Sequence, residues 1–343
     1  MSASGHWERR WHPLRQEWVV IAAQTSDRPW SGLVVDEATE RPPEHDPSCF
    51  LCPAVTRAGG VSMPDYSSTY AFENDFATLS PSAPEVQSED PLTKRAPARG
   101  RCRVLCWHPR HDRTLAQLST QEMRAVTQLW RDEWDALSAD EQIEQVMIFE
   151  NKGEAVGVSN LHPHGQIYAS SFVTDNALRM RDAQAEYSKA GGGSLMLDLL
   201  ASPNWQALQV LEGEHWVALV PWSARYAYEV WLIPRVAACH LGELSEAQLD
   251  ELGFMYQQVV RAYNALFGGE APNITMLHNA PCDDHADNKH WQFHLVCQPP
   301  LREPGKLKYL GGFEQSAGNI VNPIQPEHAA TRLRKVLEEL AAT

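Results

Sequence analysis

Two stretches of the chain repeat one order of hydrophobic patterns. Arg103-Val104-Leu105-Cys106-Trp107-His108-Pro109-Arg110 is a short β-type apolar run closed by Pro-Arg, and Glu229-Val230-Trp231-Leu232-Ile233-Pro234-Arg235 has the same shape. Each is followed by Leu-x-x-Leu-Ser, at Leu115 to Ser119 and at Leu241 to Ser245. Apolar residues at helical spacing come next and predict helices over Thr120 to Leu137 and Glu246 to Phe267. The Ser of each motif stands at the N-cap, where its hydroxyl can satisfy an orphan backbone N–H. Further β-type runs, Gln145 to Glu150 and Asn273 to His278, lead through polar loops to two His-bearing strands, His162 to Ser170 and Trp291 to Gln298. Pro326 opens a last helical pattern that Arg332, Leu333, Val336 and Leu337 continue.

The repeat predicts an α+β fold made of two similar units of antiparallel sheet with packed helices, arising from an internal duplication. Ala83 to Arg99 and Gly191 to Gly193 are rich in Pro, Gly or charge and read as surface connections. The boundary is placed near 191–210, which gives units 1–190 and 191–343.

Composition narrows the classes of function. With 343 residues, 43% of them apolar, and 12 Trp, the chain can bury a large core. The opening MSASGHWERR has no apolar h-region and no apolar run is long enough to cross a bilayer, so neither secretion nor membrane insertion is expected. Seven Cys is an odd count, and Cys49-Phe50-Leu51-Cys52 reads as a metal half-site rather than part of a disulfide framework. The cytoplasm is the expected compartment. A formal charge of −15 argues against a nucleic-acid partner, because backbone binding needs clustered Lys and Arg. Small phosphorylated ligands need only local donors, such as Arg28, Lys152 and Lys308.

The chemistry centres on Ser159-Asn160-Leu161-His162-Pro163-His164-Gly165-Gln166-Ile167. On a strand, His162, His164 and Gln166 share one face while Pro163 and Gly165 take the other. Pro163 cannot donate to a ladder, and Gly165 lets another backbone or a ligand come close. A neutral imidazole attacks phosphorus and also leaves well, which suits a covalent intermediate that divides one phosphoryl-type transfer into two steps. Gln166 can donate to a phosphate oxygen but cannot serve as a base for water, which favours transfer over hydrolysis.

His-Pro-His-Gly-Gln, preceded by Phe149-Glu150-Asn151-Lys152-Gly153 and Gly157-x-Ser159-Asn160, resembles the active site of the galactose-1-phosphate uridylyltransferase family of the histidine-triad superfamily. Further motifs resemble the same family in order and spacing: Arg28-Pro29-Trp30, His45-Asp46-Pro47-x-Cys49-x-Leu51-Cys52, Tyr70-x-Phe72-x-Asn74-Asp75-Phe76, Asp90-Pro91-Leu92 and His290-Trp291-Gln292-x-His294. The resemblance implies that His164 attacks the α-phosphorus of UDP-glucose, releases glucose 1-phosphate and passes UMP to galactose 1-phosphate, giving UDP-galactose. It implies that Gln166 contacts the nucleotidyl phosphate and that Asn74, Asp75, Phe76, Asn151, Gly157 and Ser159 line the UDP-sugar site. It places Arg28, Lys308, Tyr309, Phe313 and Glu314 at the sugar-phosphate site, partly across the interface of a homodimer. The nearest competing functions are a sugar-nucleotide phosphorylase such as one acting on ADP-sugars, and a non-catalytic nucleotide-binding or zinc protein.

Zinc takes four tetrahedral Cys and His ligands in a structural site. Cys49 and Cys52 supply two; from spacing alone the other pair stays open, with His108 and His111 forming a plausible His-x-x-His. The resemblance selects His111 and His162, so that the metal holds the His164 strand in place. Some family members carry a second metal. At the positions that align with two of its ligands this chain has Met180 and Val296, beside His278 and His294, so the second site is expected to be absent. Thr25 stands where the family often has another Arg, and the run Gly311 to Asn319 matches at Phe313-Glu314 and diverges after it. On local reading alone, Cys102 and Cys106 are core residues, Trp130, Trp134 and Leu137 are packing residues, Asn74-Asp75 is a turn, and the Lys152 charge is solvated.

Overall fold

The computed structural model describes residues 7–23, 42–57, 59–158 and 160–342; Thr25, Arg28 and Ser159 lie outside them. Strands β1 (Trp7–His12), β2 (Glu17–Ala22), β3 (Tyr70–Glu73) and β4 (Gly100–Cys106) come first, followed by helix α1 (Thr120–Ser138) and strands β5 (Gln145–Lys152) and β6 (His164–Ser170). Helices α2 (Asp175–Lys189), α3 (Leu195–Ala201) and α4 (Pro203–Gln206) lead to β7 (Gln209–Glu212), β8 (Trp216–Leu219) and β9 (Val230–Pro234). Then come α5 (Glu246–Phe267), β10 (Asn273–His278), β11 (His294–Gln298), the short pair β12 (Leu301–Glu303) and β13 (Lys306–Leu307), α6 (Gly312–Gln315), β14 (Val321–Asn322) and α7 (Pro326–Ala341).

Nine strands form one antiparallel sheet in the order β3-β4-β6-β5-β10-β11-β9-β8-β7. The order repeats about the β5–β10 seam, where Phe149 faces Met276: β4, β6 and β5 on one side answer to β9, β11 and β10 on the other. This is the duplicated α+β architecture that the sequence repeat predicts. Both long helices start at the expected serines. Ser119 with Glu122 and Ser245 with Gln248 each close a capping box, an arrangement in which Ser→Ala costs about 1 kcal/mol.

Three local expectations are corrected. Strand β6 starts at His164 rather than His162, because Pro163 has no N–H for the ladder and His162 turns away into a cluster of thiols. Strand β11 starts at His294 rather than Trp291; the Gln292 N–H goes to Gln184 Oε1 of α2 and the Phe293 N–H to the Ala238 carbonyl. The Pro-Arg pairs do not superpose either. Leu105 lies opposite Gly165 as Leu232 lies opposite Leu295, so Trp107, and not Pro109, is the counterpart of Pro234.

One face of the sheet packs against α1, α5 and α7 through Leu105, Trp107, Trp130, Ile148, Ile167, Tyr256 and Leu333. The other face is covered unevenly. Over the second unit, α2, α3, α4 and Leu14 of the β1–β2 turn bury Met180, Trp231, Trp291 and Val296. Over the first unit, Cys49, Leu51, Cys52, Met63 and Tyr66 pack on Phe72, Val104 and Cys106. His164, Gln166 and Tyr168 stay half-buried on this face. Cys102 and Cys106 are core residues as expected, and so are Trp130, Trp134 and Leu137. Among the described residues no helix is long and apolar enough to cross a membrane.

Candidate active site and metal centre

The alternation of β6 sends Gly165, Ile167 and Ala169 toward the helices and His164, Gln166 and Tyr168 to the opposite face. Phe149 of β5 pairs with Gln166, and its ring meets Tyr168 edge-on at 5.1 Å, so Asn151, two residues further on, shares that face. His164 Nδ1 lies 2.7 Å from the His162 carbonyl oxygen. A carbonyl only accepts, so the proton sits on Nδ1 and the lone pair is on Nε2. Burial holds the pKa of His164 below the ordinary 6.5, which keeps the ring neutral and nucleophilic at physiological pH.

Gly165 admits a side chain rather than a ligand. A β-carbon there would fall 2.2 Å from Cζ2 of Trp107 and 2.9 Å from the Phe149 carbonyl oxygen. The Trp107 backbone N–H also donates to the Pro163 carbonyl at 2.9 Å. Trp107 therefore supports the segment on both sides of His164.

Cys49, Cys52, His111 and His162 are buried, and one ligand atom from each lies within 4.8 Å of all the others. Cys52 Sγ is 3.6 Å from His111 Nδ1 and 3.5 Å from His162 Nδ1. A tetrahedral ion with metal–sulfur and metal–nitrogen bonds of about 2.3 and 2.0 Å would set such edges at roughly 3.5 Å. Nε2 of His162 faces the His108 carbonyl at 2.9 Å and the Tyr66 hydroxyl at 3.0 Å, which keeps its proton there and turns Nδ1 to the cluster. Burial pushes the Cys52 thiol up to about 11 and brings His162 down to about 3. A neutral imidazole is the ligand form, and a buried thiolate needs a cation beside it. The donor set fits a structural metal.

Two family models, described as the N-terminal and C-terminal domains of galactose-1-phosphate uridyl transferase, match residues 2–174 and 180–342. The chain belongs to the galactose-1-phosphate uridylyltransferase family. The family's protein from Haemophilus influenzae is 37% identical over 338 residues, which cover 97% of this chain and 95% of that one. The one from Rattus norvegicus is 38% identical over 345 residues, with 98% and 89% covered. A solved uridylyltransferase has a TM-score of 0.79 at 24% identity, covering 97% of this chain and 99% of that one. An ADP-glucose phosphorylase from Arabidopsis thaliana has the same TM-score of 0.79 at 20% identity, covering 96% and 98%. At these identities the two structures establish the fold.

The other positions singled out by resemblance to the uridylyltransferase family fall into groups. Asn74, Asp75 and Phe76 follow β3 at the edge of the His164 face. Asn74 Oδ1 accepts the Phe76 N–H at 2.9 Å, Asp75 meets Arg57 at 3.2 Å, and the Phe76 ring is 77% exposed. Nearby, Thr78 Oγ1 lies 3.2 Å from the Tyr168 hydroxyl. Gly157 ends a short 3-10 turn at φ +85°, which favours glycine. Lys308 and Glu314 form a separate cluster: the ammonium reaches the carbonyls of Arg225 and Val321 at 2.7 and 2.8 Å and Glu314 Oε1 at 3.0 Å. An ammonium has three protons, and here each has an acceptor. Tyr309 and Phe313, on the same segment, are exposed. Lys152 is not solvated: it pairs with Glu270 at 2.5 Å.

Three further residues belong to this neighbourhood. Tyr66 donates to the Leu51 carbonyl at 2.5 Å while holding His162. Asn160 bridges the Cys49 sulfur, at 3.3 Å, and the His162 backbone N–H, at 2.9 Å. Glu150 accepts from Trp107 Nε1 at 3.2 Å. Asn160 and Glu150 stand inside motifs visible in the sequence, but Tyr66 carries no local signal.

Proposed function

We propose that this chain is a UDP-glucose–hexose-1-phosphate uridylyltransferase of galactose metabolism that works by double displacement through His164. Nε2 attacks the α-phosphorus of UDP-glucose; the N–P bond forms, the P–O bond to glucose 1-phosphate breaks, and glucose 1-phosphate leaves. The imidazolium so formed keeps its Nδ1 proton on the His162 carbonyl. A phosphate oxygen of galactose 1-phosphate then attacks the same phosphorus, the N–P bond breaks, and UDP-galactose departs with His164 neutral again. Gln166 donates its amide to a non-bridging oxygen at both steps and activates no water. The observation that carries this reading is the His164 Nδ1 contact with the His162 carbonyl, on the strand face that also presents Gln166.

Asn74, Asp75, Phe76, Asn151, Gly157 and Ser159 line the UDP-sugar site in this reading. Arg28, Tyr309 and Phe313 complete the sugar-phosphate site, with part of it supplied by a second copy in a homodimer, while Lys308 and Glu314, engaged with each other and with the backbone, brace that segment. The exposed rings of Tyr309 and Phe313 support that role. Residues 1–190 form the catalytic unit and 191–343 the unit that contributes to the sugar-phosphate site and the dimer. Zinc is the ion that suits Cys49, Cys52, His111 and His162; it would clamp His162, two residues before the nucleophile, without entering the reaction. This reading has no second metal; the packing of Met180 and Val296 in one apolar cluster beside His294 supports that. Seven free thiols suit the reducing cytoplasm.

The test is the intact mass of the purified protein after incubation with UDP-glucose alone. An added UMP that disappears on supplying galactose 1-phosphate supports the reading. AMP added from ADP-glucose, with no UMP from UDP-glucose, moves the chain to the phosphorylase branch, and no adduct from either nucleotide makes it a non-catalytic binder.

A further inference from the structure

We propose that Glu150 is a positioning residue for the transfer: its carboxylate fixes the Trp107 indole beneath Gly165 and thereby sets the strand between His164 and Gln166. The assignment rests on His164 carrying the UMP. Glu150 lies on the helix-packed side of β5 and is buried. One oxygen accepts the Trp107 indole N–H at 3.2 Å and the other accepts the Tyr256 hydroxyl at 2.5 Å. Tyr256 lies 3.0 Å from Thr275 Oγ1, which accepts in turn from Asn273 Nδ2 at 2.7 Å. The carboxylate is thus held from α5 and β10, and it holds Trp107. Trp107 acts on both neighbours of the nucleophile, through its backbone N–H on the Pro163 carbonyl and through its ring against Gly165. Without the carboxylate the buried indole loses the one bond that fixes its angle beneath Gly165.

The second unit is an internal control. Phe149 pairs with Gln166 as Met276 pairs with Val296, so the next residues along, Glu150 and Leu277, correspond. By the same registers Gly165 corresponds to Leu295 and Trp107 to Pro234. The backbone of the copy is alike even in detail, for His294 Nδ1 lies 2.9 Å from the Gln292 carbonyl oxygen. The same sheet position is therefore filled by Leu, Leu and Pro where Gln166 is replaced by Val296. The fold does not require a carboxylate there, and burying one is costly. In the unit that keeps Gln166 the carboxylate is present and fully engaged.

The experiment compares Glu150→Leu, Glu150→Gln and Trp107→Phe with the parent chain for the rate of UMP addition to His164, the KM for UDP-glucose, metal content and melting temperature. Glu150→Leu copies the second unit. It should slow the addition about 10- to 100-fold, the cost of a small misplacement, with metal retained and KM little changed. Glu150→Gln should recover most of the rate, since its amide oxygen can accept from Trp107 while Tyr256 turns its proton to Thr275. Trp107→Phe should lose as much as Glu150→Leu, and the double variant no more than either. A folded, metal-loaded Glu150→Leu protein at the parent rate overturns the proposal, as does a loss that Glu150→Gln fails to recover. If Glu150→Leu does not fold, Trp107→Phe decides, and a parent rate there overturns it. A parent chain that takes up no UMP removes the role of His164 itself, and with it this assignment.

Discussion

The Nδ1 atom of His164 lies 2.7 Å from the carbonyl oxygen of His162, and that contact leaves the lone pair on Nε2. His164→Ala removes the nucleophile of the proposed double displacement and leaves the sheet and the metal cluster in place. It should abolish the UMP adduct and lower turnover by about 10⁴-fold or more, with metal content and melting temperature unchanged. Turnover near the parent level in a steady-state assay would refute the covalent route.

Cys52→Ser acts on a different quantity. It removes one sulfur from the buried Cys49, Cys52, His111 and His162 cluster, so metal content and stability should fall together. Elemental analysis of the parent protein should find one tightly held ion per chain, and two would contradict the apolar packing of Met180 and Val296 as the end of a second site.

Gly165→Ala tests how closely Trp107 supports the strand. The new β-carbon would lie 2.2 Å from the indole, so the ring or the strand must move. Urea denaturation should show a loss of about 1–3 kcal/mol, together with slower transfer. Unchanged stability would mean that Trp107 has room to retreat.

Glu270→Gln has a pH signature. Burial is the largest single influence and raises the carboxyl pKa of Glu270, but the Lys152 charge together with hydrogen bonds from Lys152, Asn264 and Thr114 brings the folded value below the ordinary 4.5. The pair's contribution is complete above that ordinary value and is lost as pH falls through the folded one. With the carboxylate 44% exposed, screening limits the contribution to about 1 kcal/mol or less. The variant should melt lower than the parent at neutral pH and converge with it in acid, as pH falls through the lowered folded value. A gap that persists in acid would assign the effect to packing.

Features set by near neighbours could be read from the sequence. Ser119 and Ser245 cap their helices because a hydroxyl there meets N–H groups within three residues, whatever the rest of the chain does. The alternation of His164 and Gln166 followed from the pleat in the same way. Choosing His111 and His162 as ligands needed the family resemblance, because spacing alone left His108 available. The start of β6 was only half legible: Pro163 signalled an interruption, but the distant thiols that His162 faces did not show in the sequence. The stack of Glu150, Trp107 and Gly165 is likewise invisible, since its members come from β5, β6 and the residue that follows β4, which only the assembled sheet brings together. Lys152 looked solvated because its partner, Glu270, lies beyond the next long helix.

The β5–β10 seam makes the two halves one working part. A fragment ending at residue 190 would hold His164, Gln166 and all four residues of the Cys-His cluster, and yet it would lack Tyr256 and Thr275, which hold the Glu150 carboxylate beside β6. Cut there, β5 becomes a bare edge, and Glu150 faces water where the second half had stood. The second half braces the first across one shared sheet, so gene fragments that separate the two should complement only when expressed together.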